Sequence, residues 1–375
     1  MQSAGKPIEN LAVALESAYP ELAAIRDAAG EPVYVVGGAV RDLLLGLGRA
    51  DLDIVVEGDV AALAARLGAA PIEHERFATA KVEFDGHEVD IAGARSESYP
   101  HPGSLPLVSP AAAIEDDLGR RDFTVNAMAI PLAGEPRLID PHGGSDDLGA
   151  GLLRVLHGES FADDPTRAIR AARYAARLGF ELEPETEALL RATDLDTVSA
   201  DRRRAELLRL AGEATAPRGF ALLREWGLLA TREQEADLVA RVVGLIATPV
   251  WAQSLAPADR ARAVLAAALG PAGRERDLAA ARPQRPSQAV ELARGHDPVE
   301  LVLARALGAE WLDDYVQEWS AVALEIDGAD LIAAGVPQGP ALGRGLAAAL
   351  RAKLDGELDG REQELAAALA AARAE

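Results

Sequence analysis

Along the first 150 residues or so the apolar positions come in short runs broken by glycine and charge. Beyond residue 152 they recur almost everywhere at helical spacing. Leu11, Leu15, Tyr19 and Leu22 predict a helix over 8–29, interrupted at Pro20. Residues 33–36 read as a short apolar strand that enters the Gly37-Gly38 turn, and 39–47 as the helix that leaves it. A second strand is predicted over 52–56 and a helix around 61–67. Residues 80–84 and 87–92 read as a hairpin across Asp85-Gly86. Strand candidates at 127–131 and 137–139 complete a small α/β domain over 1–152. The later helical pattern breaks near Pro184, Pro217, Pro249, Pro257, Pro283, Pro286 and from Pro337 to Pro340, with no fixed-period repeat. The Ala-rich end, 362–375, reads as a helix that frays.

Composition narrows the class. A chain of 375 residues exceeds one ordinary core, so two to four domains or subdomains are expected. No apolar run approaches the roughly 20 residues needed to cross a bilayer, and Glu9 and Glu16 sit where a secretory leader needs an apolar stretch. Cysteine is absent, which excludes disulfides, thiolate metal sites and thiol nucleophiles. A cytoplasmic enzyme is the default expectation. The net charge of −22 argues on average against a nucleic-acid partner, but RNA touches a local surface. The positive charge is almost all arginine, with only Lys6, Lys81 and Lys353 as lysines. Genome composition accounts for that bias, so the placement of arginine matters more than its number.

The first candidate chemistry is Asp51-Leu52-Asp53 at the start of a strand. A strand has period two, so both carboxylates project from one face and Leu52 and Ile54 from the other. Paired like charges are unfavourable unless a cation sits between them, and Mg²⁺ takes carboxylates together with substrate phosphates. Alone, such a pair is more often a loop or cap.

Just upstream, Gly37-Gly38-Ala39-Val40-Arg41 puts two glycines and an arginine at a strand-to-helix turn. Glycine lets amides approach phosphate oxygens at a helix N-terminus, where Arg41 can clamp a triphosphate. The turn is equally compatible with ordinary strand-to-helix geometry, and it is neither a Walker loop nor a dinucleotide fingerprint. Asp90 stands inside the apolar Val89-Asp90-Ile91 strand and needs a partner there. That partner is either a salt bridge, for example to Arg95, or a metal shared with Asp51 and Asp53. On a helix from Asp164 to Leu178, Arg167, Arg170, Arg173 and Arg177 share one arc with Tyr174, opposite Ala168, Ile169, Ala172, Ala175 and Ala176. A solvated basic face fits that stripe, and so does a capping role for one carboxylate of Asp163-Asp164. The six histidines are scattered and read as structural or exposed.

Taken in order, these segments resemble a known family. Gly37-Gly-Ala-Val-Arg41-Asp42 followed by Asp51-Leu-Asp53 resembles the signature of class II tRNA nucleotidyltransferases and bacterial poly(A) polymerases, of the polymerase-β-like nucleotidyltransferase superfamily. Arg120-Arg121-Asp122-Phe-Thr-Val-Asn126 is similar to the family's ribose-recognising motif. Asp140-Pro-His-Gly-Gly144 with Asp147-Leu148 is similar to its hinge motif, and Asp163-Asp164-Pro-Thr-Arg167 through Arg170 and Arg173 to its base-selecting motif. Ser199-Ala-Asp201-Arg202 with Glu206-Leu207 resembles the motif that follows, with Asp201 where the family usually has Glu. The five motifs cover residues 33–210. Beyond about 215 the resemblance thins, and no paired His-Asp arrangement suggests an appended phosphohydrolase domain.

The resemblance implies an α+β fold: a small polymerase-β-like nucleotidyltransferase α/β head (1–152), a helical neck for base recognition (153–215), and an elongated helical body and tail that bind tRNA (216–375). It implies addition of C and/or A to the tRNA 3′ end from CTP and ATP, without a nucleic acid template and by two-metal phosphoryl transfer. Asp51 and Asp53, with Asp90, are expected to hold Mg²⁺. Gly37, Gly38 and Arg41 are expected on the triphosphate, and Arg121, Asp122 and Asn126 on ribose and phosphates. Asp164 and Arg167 are expected to read the base, supported by Arg170 and Arg173. The interval between Asp53 and Asp90 leaves room for a mobile loop around 70–80, including Phe77-Ala-Thr79, so full CCA addition leads. A CC- or A-adding specialist and a poly(A) polymerase are the alternatives, the latter tending to carry a basic tail that 355–375 lacks. A non-catalytic scaffold would be marked by loss of a metal aspartate, and both are present.

Overall fold

The apolar runs of the first 150 residues build a mixed sheet. Its strands are β1 (Val33–Val36), β2 (Leu52–Val56), β3 (Thr79–Phe84), β4 (His87–Gly93) and, later in the chain, a three-residue strand Ala129–Pro131. In space the order is β3-β4-β2-β1-Ala129–Pro131. β2 and β4 run parallel and the other neighbours antiparallel. The computed structural model describes residues 9–68, 79–84, 86–110, 113–134, 137–230, 233–270 and 273–374. The loop expected around 70–80 lies outside them but for its last two residues, as does Asp85 of the hairpin turn.

The predicted N-terminal helix is two, α1 (Glu9–Ala18) and α2 (Leu22–Ala28), divided around Pro20. Helices α3 (Gly38–Leu45) and α4 (Val60–Arg66) pack on β1–β2 and β3–β4 respectively. They cover the face that carries Leu52, Ile54, Val89 and Ile91, each at most 2% exposed. On the opposite face Val36 and Val55 join Ile114 and Leu118 of α5 (Ile114–Gly119) in a second apolar cluster. That cluster fills one end of the face; the other end bears Asp53 and Asp90.

The sequence pattern passes over two small ladders. β5 (Arg95–Ser98) pairs with β6 (Leu107–Pro110), and the strand Ala129–Pro131 is β7 in chain order. β8 (Leu152–Leu153) and β9 (Glu181–Leu182) form a two-residue parallel pair inside the region expected to be purely helical. The candidate at 137–139 reduces to a single bridge between Ile139 and Ala129.

The chain divides into two compact units, Met1–Leu210 with Ala221–Ala230, and Ala211–Phe220 with Thr231–Glu375. In the first, the sheet is followed by α6 (Gly144–Ala150), α7 (Ser160–Asp163), α8 (Thr166–Leu178), α9 (Pro184–Arg191) and α10 (Ala200–Ala211), the last reaching the boundary. The second unit is helical among its described residues. Its C-terminal helix Arg361–Arg373, where the composition suggests fraying, packs on Pro340–Leu354 through buried Ala368 and Ala372. There Gly345 admits the Ala368 carbonyl, 2.6 Å from where a Cβ would stand. Among the described residues no helix is long and apolar enough to cross a membrane.

Candidate active site

Strand register sets the carboxylates side by side. Asp53 of β2 is the direct partner of Asp90 on β4, and Asp90 is the partner of Lys81 on β3. Asp51 precedes β2 and is exposed, as is Asp53, while Leu52 and Ile54 are buried. The Asp53 carboxyl opens into a cleft, yet enough protein surrounds it that desolvation pushes its pKa up. Arg121 opposes the shift, and the like charges of Asp90 and Asp51 add to it.

Asp90 corrects an expectation. Flanked by apolar residues it reads as a buried carboxylate, but the strand alternation turns it outward, with its side chain 51% exposed. Its cation is Lys81, 3.3 Å away, whereas the guanidinium of Arg95 bonds Glu97 at 3.2 Å. Among the described residues no three acidic or histidine side chains converge as a ready-made metal cluster.

The glycine turn also behaves in part unexpectedly. Gly37 has φ +65°, a conformation open to glycine, and a Cβ there would stand 2.7 Å from Nη1 of Arg121. Both Gly37 and Gly38 line the cleft, but the Gly37 amide donates to the Met128 carbonyl at 3.1 Å. Arg41, expected on the triphosphate, is 2% exposed and lies beneath the cleft instead of in it. Its Nε donates to Asp42 at 2.7 Å and its Nη1 to the Asn126 Oδ1 at 2.6 Å. A guanidinium three residues into a helix after a tight turn is carried back under the strand, where two acceptors hold it.

From Arg41 a chain of alternating donors and acceptors runs across the site. Asn126 donates from Nδ2 to Asp122 Oδ1 (2.9 Å), and Asp122 Oδ2 accepts from Nε of Arg170 (2.8 Å). Burial pushes the Asp122 carboxyl up, but Arg170, with Asn126, outweighs it and holds it down at about 2. The same pair holds Arg170 well above its ordinary value. Arg41, Arg170 and Arg173 all stand over the Tyr174 ring, at 5.2, 5.6 and 4.6 Å. Arg173 therefore supports the ring and is not among the cleft-lining residues.

A second network forms the cleft wall. Asp117, fully buried, accepts from Arg120 and Arg121, and Glu97 accepts from Arg95, Arg120 and the Tyr99 hydroxyl. Burial, then the neighbouring Glu97, pushes Tyr99 up to about 12.

The arginine stripe of α8 is graded, exposed at Arg177 and half-buried at Arg170 and Arg173, with Arg167 only 5% exposed. Its Nη1 bonds the Ser160 hydroxyl at 2.6 Å and its Nη2 the Arg120 carbonyl at 2.8 Å. Asp164 receives the Thr166 amide and hydroxyl on Oδ1 (3.0 and 2.6 Å), and Nη2 of Arg202 reaches the same oxygen at 3.0 Å. Arg202 also bonds the Gly103 carbonyl at 2.9 Å, in the turn between β5 and β6. That turn abuts later segments of the same unit closely: the Thr197 carbonyl oxygen lies 2.4 Å from where a Gly103 Cβ would stand, and the Gly103 amide donates to the Ala162 carbonyl.

These groups surround one cavity of about 780 Å³. It gathers Gly37, Gly38, Asp53, Asp90, Arg121, Asp122, Asn126, Asp164, Arg167 and Arg170; Asp51, Arg41 and Arg173 are not on its lining. Six cationic side chains (Lys81, Arg95, Arg120, Arg121, Arg167, Arg170) face five carboxylates (Asp53, Asp90, Glu97, Asp122, Asp164). Among the described residues, a chain of net charge −22 thus gathers six cations around this cleft, where a polyanionic ligand would meet them. The candidate roles do not include Lys81, Glu97, Tyr99, Arg120, Tyr174 and Arg202. Lys81 carries a legible signal, an outward position beside Asp90 in the hairpin; Arg120, Tyr174 and Arg202 stand within the sequence motifs and the arginine arc without a role of their own, and Glu97 and Tyr99 depend on the fold.

Comparison with known proteins follows the same lines. Residues 33–154 match the "Poly A polymerase head domain" family, and residues 179–236 match "Probable RNA and SrmB- binding site of polymerase A". A CC-adding tRNA nucleotidyltransferase of Deinococcus radiodurans is 38% identical over 330 residues, which are 83% of this chain and 81% of that protein. An A-adding tRNA nucleotidyltransferase of Halalkalibacterium halodurans is 42% identical over 206 residues, 52% of this chain and 48% of that protein. The chain spans less than half the length of the A-adding relatives it matches. A CCA-adding enzyme solved in complex with ATP superposes with a TM-score of 0.78 at 27% identity, covering 97% of this chain and 98% of that one.

Proposed function

We propose that this chain, which belongs to the family of tRNA nucleotidyltransferases and poly(A) polymerases, adds C and/or A to the 3′ end of tRNA from CTP and ATP without a nucleic acid template, releasing pyrophosphate. One observation carries the reading: a single cavity joins the strand-borne carboxylates Asp53 and Asp90 to the Arg121–Asp122–Asn126 segment and the Asp164–Arg167 pair. A place to hold a triphosphate and a place to discriminate a base lie in the same cleft.

The carboxylates fit a divalent ion. Asp53 is desolvated and crowded by Asp90 and Asp51, an arrangement that a hard cation relieves and that oxygen ligands suit. Asp51 and Asp53, with Asp90, would hold Mg²⁺. When bound, such ions lower the pKa of the attacking 3′-hydroxyl and neutralise charge at the α-phosphate and the leaving pyrophosphate. The protein's own work is positioning. Gly37 and Gly38 let the triphosphate approach the start of α3, and Arg121, facing the same cavity, meets its negative charge. Asp122 and Asn126 are consumed by Arg170 and Arg41, so their service to the ribose subsite is to fix Arg170 at the cleft. Asp164 offers an acceptor and Arg167 donors, an edge that imitates a pairing base for C and A.

In this reading residues 1–152 are the catalytic head, 153–215 the neck that selects the base, and 216–375 the part that binds tRNA; the match at 179–236 supports an RNA-facing role across the neck and the start of that last part. The enzyme works in the cytoplasm. A narrower reading, CC addition alone, is favoured by the extent of the match to the Deinococcus relative.

The test uses tRNA transcripts ending before the first C, the second C or the terminal A, each with one labelled nucleotide. C on the first two and A on the third marks full CCA addition. C without A marks a CC-adding enzyme, A on the third transcript alone an A-adding one, and long A tracts a poly(A) polymerase. No incorporation on any transcript overturns the reading.

A further inference from the structure

Lys81 stands apart from the chain's other cations. Of 38 basic residues only three are lysine, at positions 6, 81 and 353. Lys81 remains a lysine where it faces Asp90 across the β3–β4 ladder. Arginine would bring a broad, planar, always-charged fork; an ammonium is a compact point charge on a flexible stem. Its Nζ lies 3.3 Å from Asp90 Oδ1 and also bonds Glu88. The side chain is 52% exposed and lines the cavity. Lys81, Asp90 and Asp53 therefore form one row across three strands on the cleft face of the sheet.

We infer that Lys81 is the resident counter-ion of Asp90, holding that carboxylate in the metal-free chain and yielding it when a divalent ion enters. This rests on the proposed metal role of Asp53 and Asp90. Among the described residues no three acidic or histidine side chains stand preassembled as a metal cluster, and the carboxylate paired with Asp53 across the sheet lies 3.3 Å from an ammonium. Entry of the ion then exchanges one cation for another at Asp90, and the released ammonium stays at the rim of a cleft built for phosphates. Lys81 is in this sense a positioning residue, since it acts through Asp90.

The experiment measures Mn²⁺ binding to the full chain without nucleotide or RNA, reading free Mn²⁺ by electron paramagnetic resonance up to millimolar concentration. Variants are Lys81→Met, Lys81→Arg and Asp53→Asn. Asp53→Asn is expected to abolish binding. Lys81→Met, which removes a competitor from a half-exposed pair, is expected to tighten Mn²⁺ by about three- to fivefold, and Lys81→Arg to stay within about twofold of the unmodified chain. Loss in Asp53→Asn with unchanged or weaker binding in Lys81→Met overturns the counter-ion role and leaves the metal assignment standing. Equal tightening in Lys81→Met and Lys81→Arg also overturns it, because charge would not be the cause. Undiminished binding in Asp53→Asn overturns the metal assignment and this inference with it.

Discussion

Replacing Asp122 by asparagine interrupts the donor–acceptor chain at its most constrained link. The carboxylate is 7% exposed and is reached by the Asn126 amide, the Phe123 amide and the Arg170 guanidinium. Its pKa of about 2, against an ordinary 3.8, corresponds to on the order of 2–3 kcal/mol of stabilisation at neutral pH. Arg170 is displaced further than Asp122, but arginine is charged in the folded and unfolded chain alike, so the carboxylate sets the pH dependence. Because the shift is downward, the contribution is complete above about pH 4 and is lost as pH falls through about 2, with about half remaining at pH 3. The Asp122→Asn side chain preserves the shape and removes the nearer of Arg170's counter-charges, leaving Glu206 at 3.8 Å. The expected loss is about 2–3 kcal/mol at pH 7, or about 5–10 °C in the melting of a unit of this size. Urea unfolding followed by far-UV circular dichroism, at pH 7, 5 and 3, measures it. A loss under about 1 kcal/mol at pH 7, or one as large at pH 3 as at pH 7, would refute the reasoning.

Three further outcomes are expected. Asp53→Asn should abolish nucleotide addition yet raise the melting temperature of the metal-free protein at pH 7. An acid whose folded pKa is raised loses stability as pH rises through that value, so removing its charge helps; a less stable variant contradicts this. Arg167→Lys keeps the charge but not the fork held by Ser160 and the Arg120 carbonyl. Single-turnover selection between CTP and ATP should blur more than tRNA affinity falls, and unchanged selectivity rejects the base-reading role. Gly37→Ala places a Cβ against Arg121 at φ +65° and should cost about 1–2 kcal/mol while raising KM for the nucleotide; an unaltered KM removes the turn from the nucleotide subsite.

The amino-acid pattern exposes those parts of the molecule where local signal and final packing agree. β2 is legible because Leu52, Ile54, Val55 and Val56 leave Asp53 as the odd residue out, and that oddness is its placement on the open face. The β3–β4 hairpin is legible for the same reason. β5 and β6 are not, since Arg95–Ser98 carries no apolar stripe and Leu107 of its partner faces solvent. Around their ladder, Glu97 and Asp117 share Arg120, a contact between segments 23 positions apart that no local pattern announces. Arg41 shows the opposite failure. Its residue type and spacing suit a phosphate, but Asp42 and an asparagine 85 positions away claim it first. Asp90 reads as buried from its neighbours' hydropathy, when strand parity, the same rule that places Asp53, points it outward.

The contact at Gly103 has a mechanical meaning. The β5–β6 turn meets the neck through main-chain atoms, at Thr197 and Ala162, and Arg202 clamps the same turn from α10. Such stitching is indifferent to most side-chain change, so the hairpin stays fastened to the segments around Ala162, Thr197 and Arg202 whatever side chains surround it. Any widening of the cleft for a ligand would therefore have to come from elsewhere along its rim.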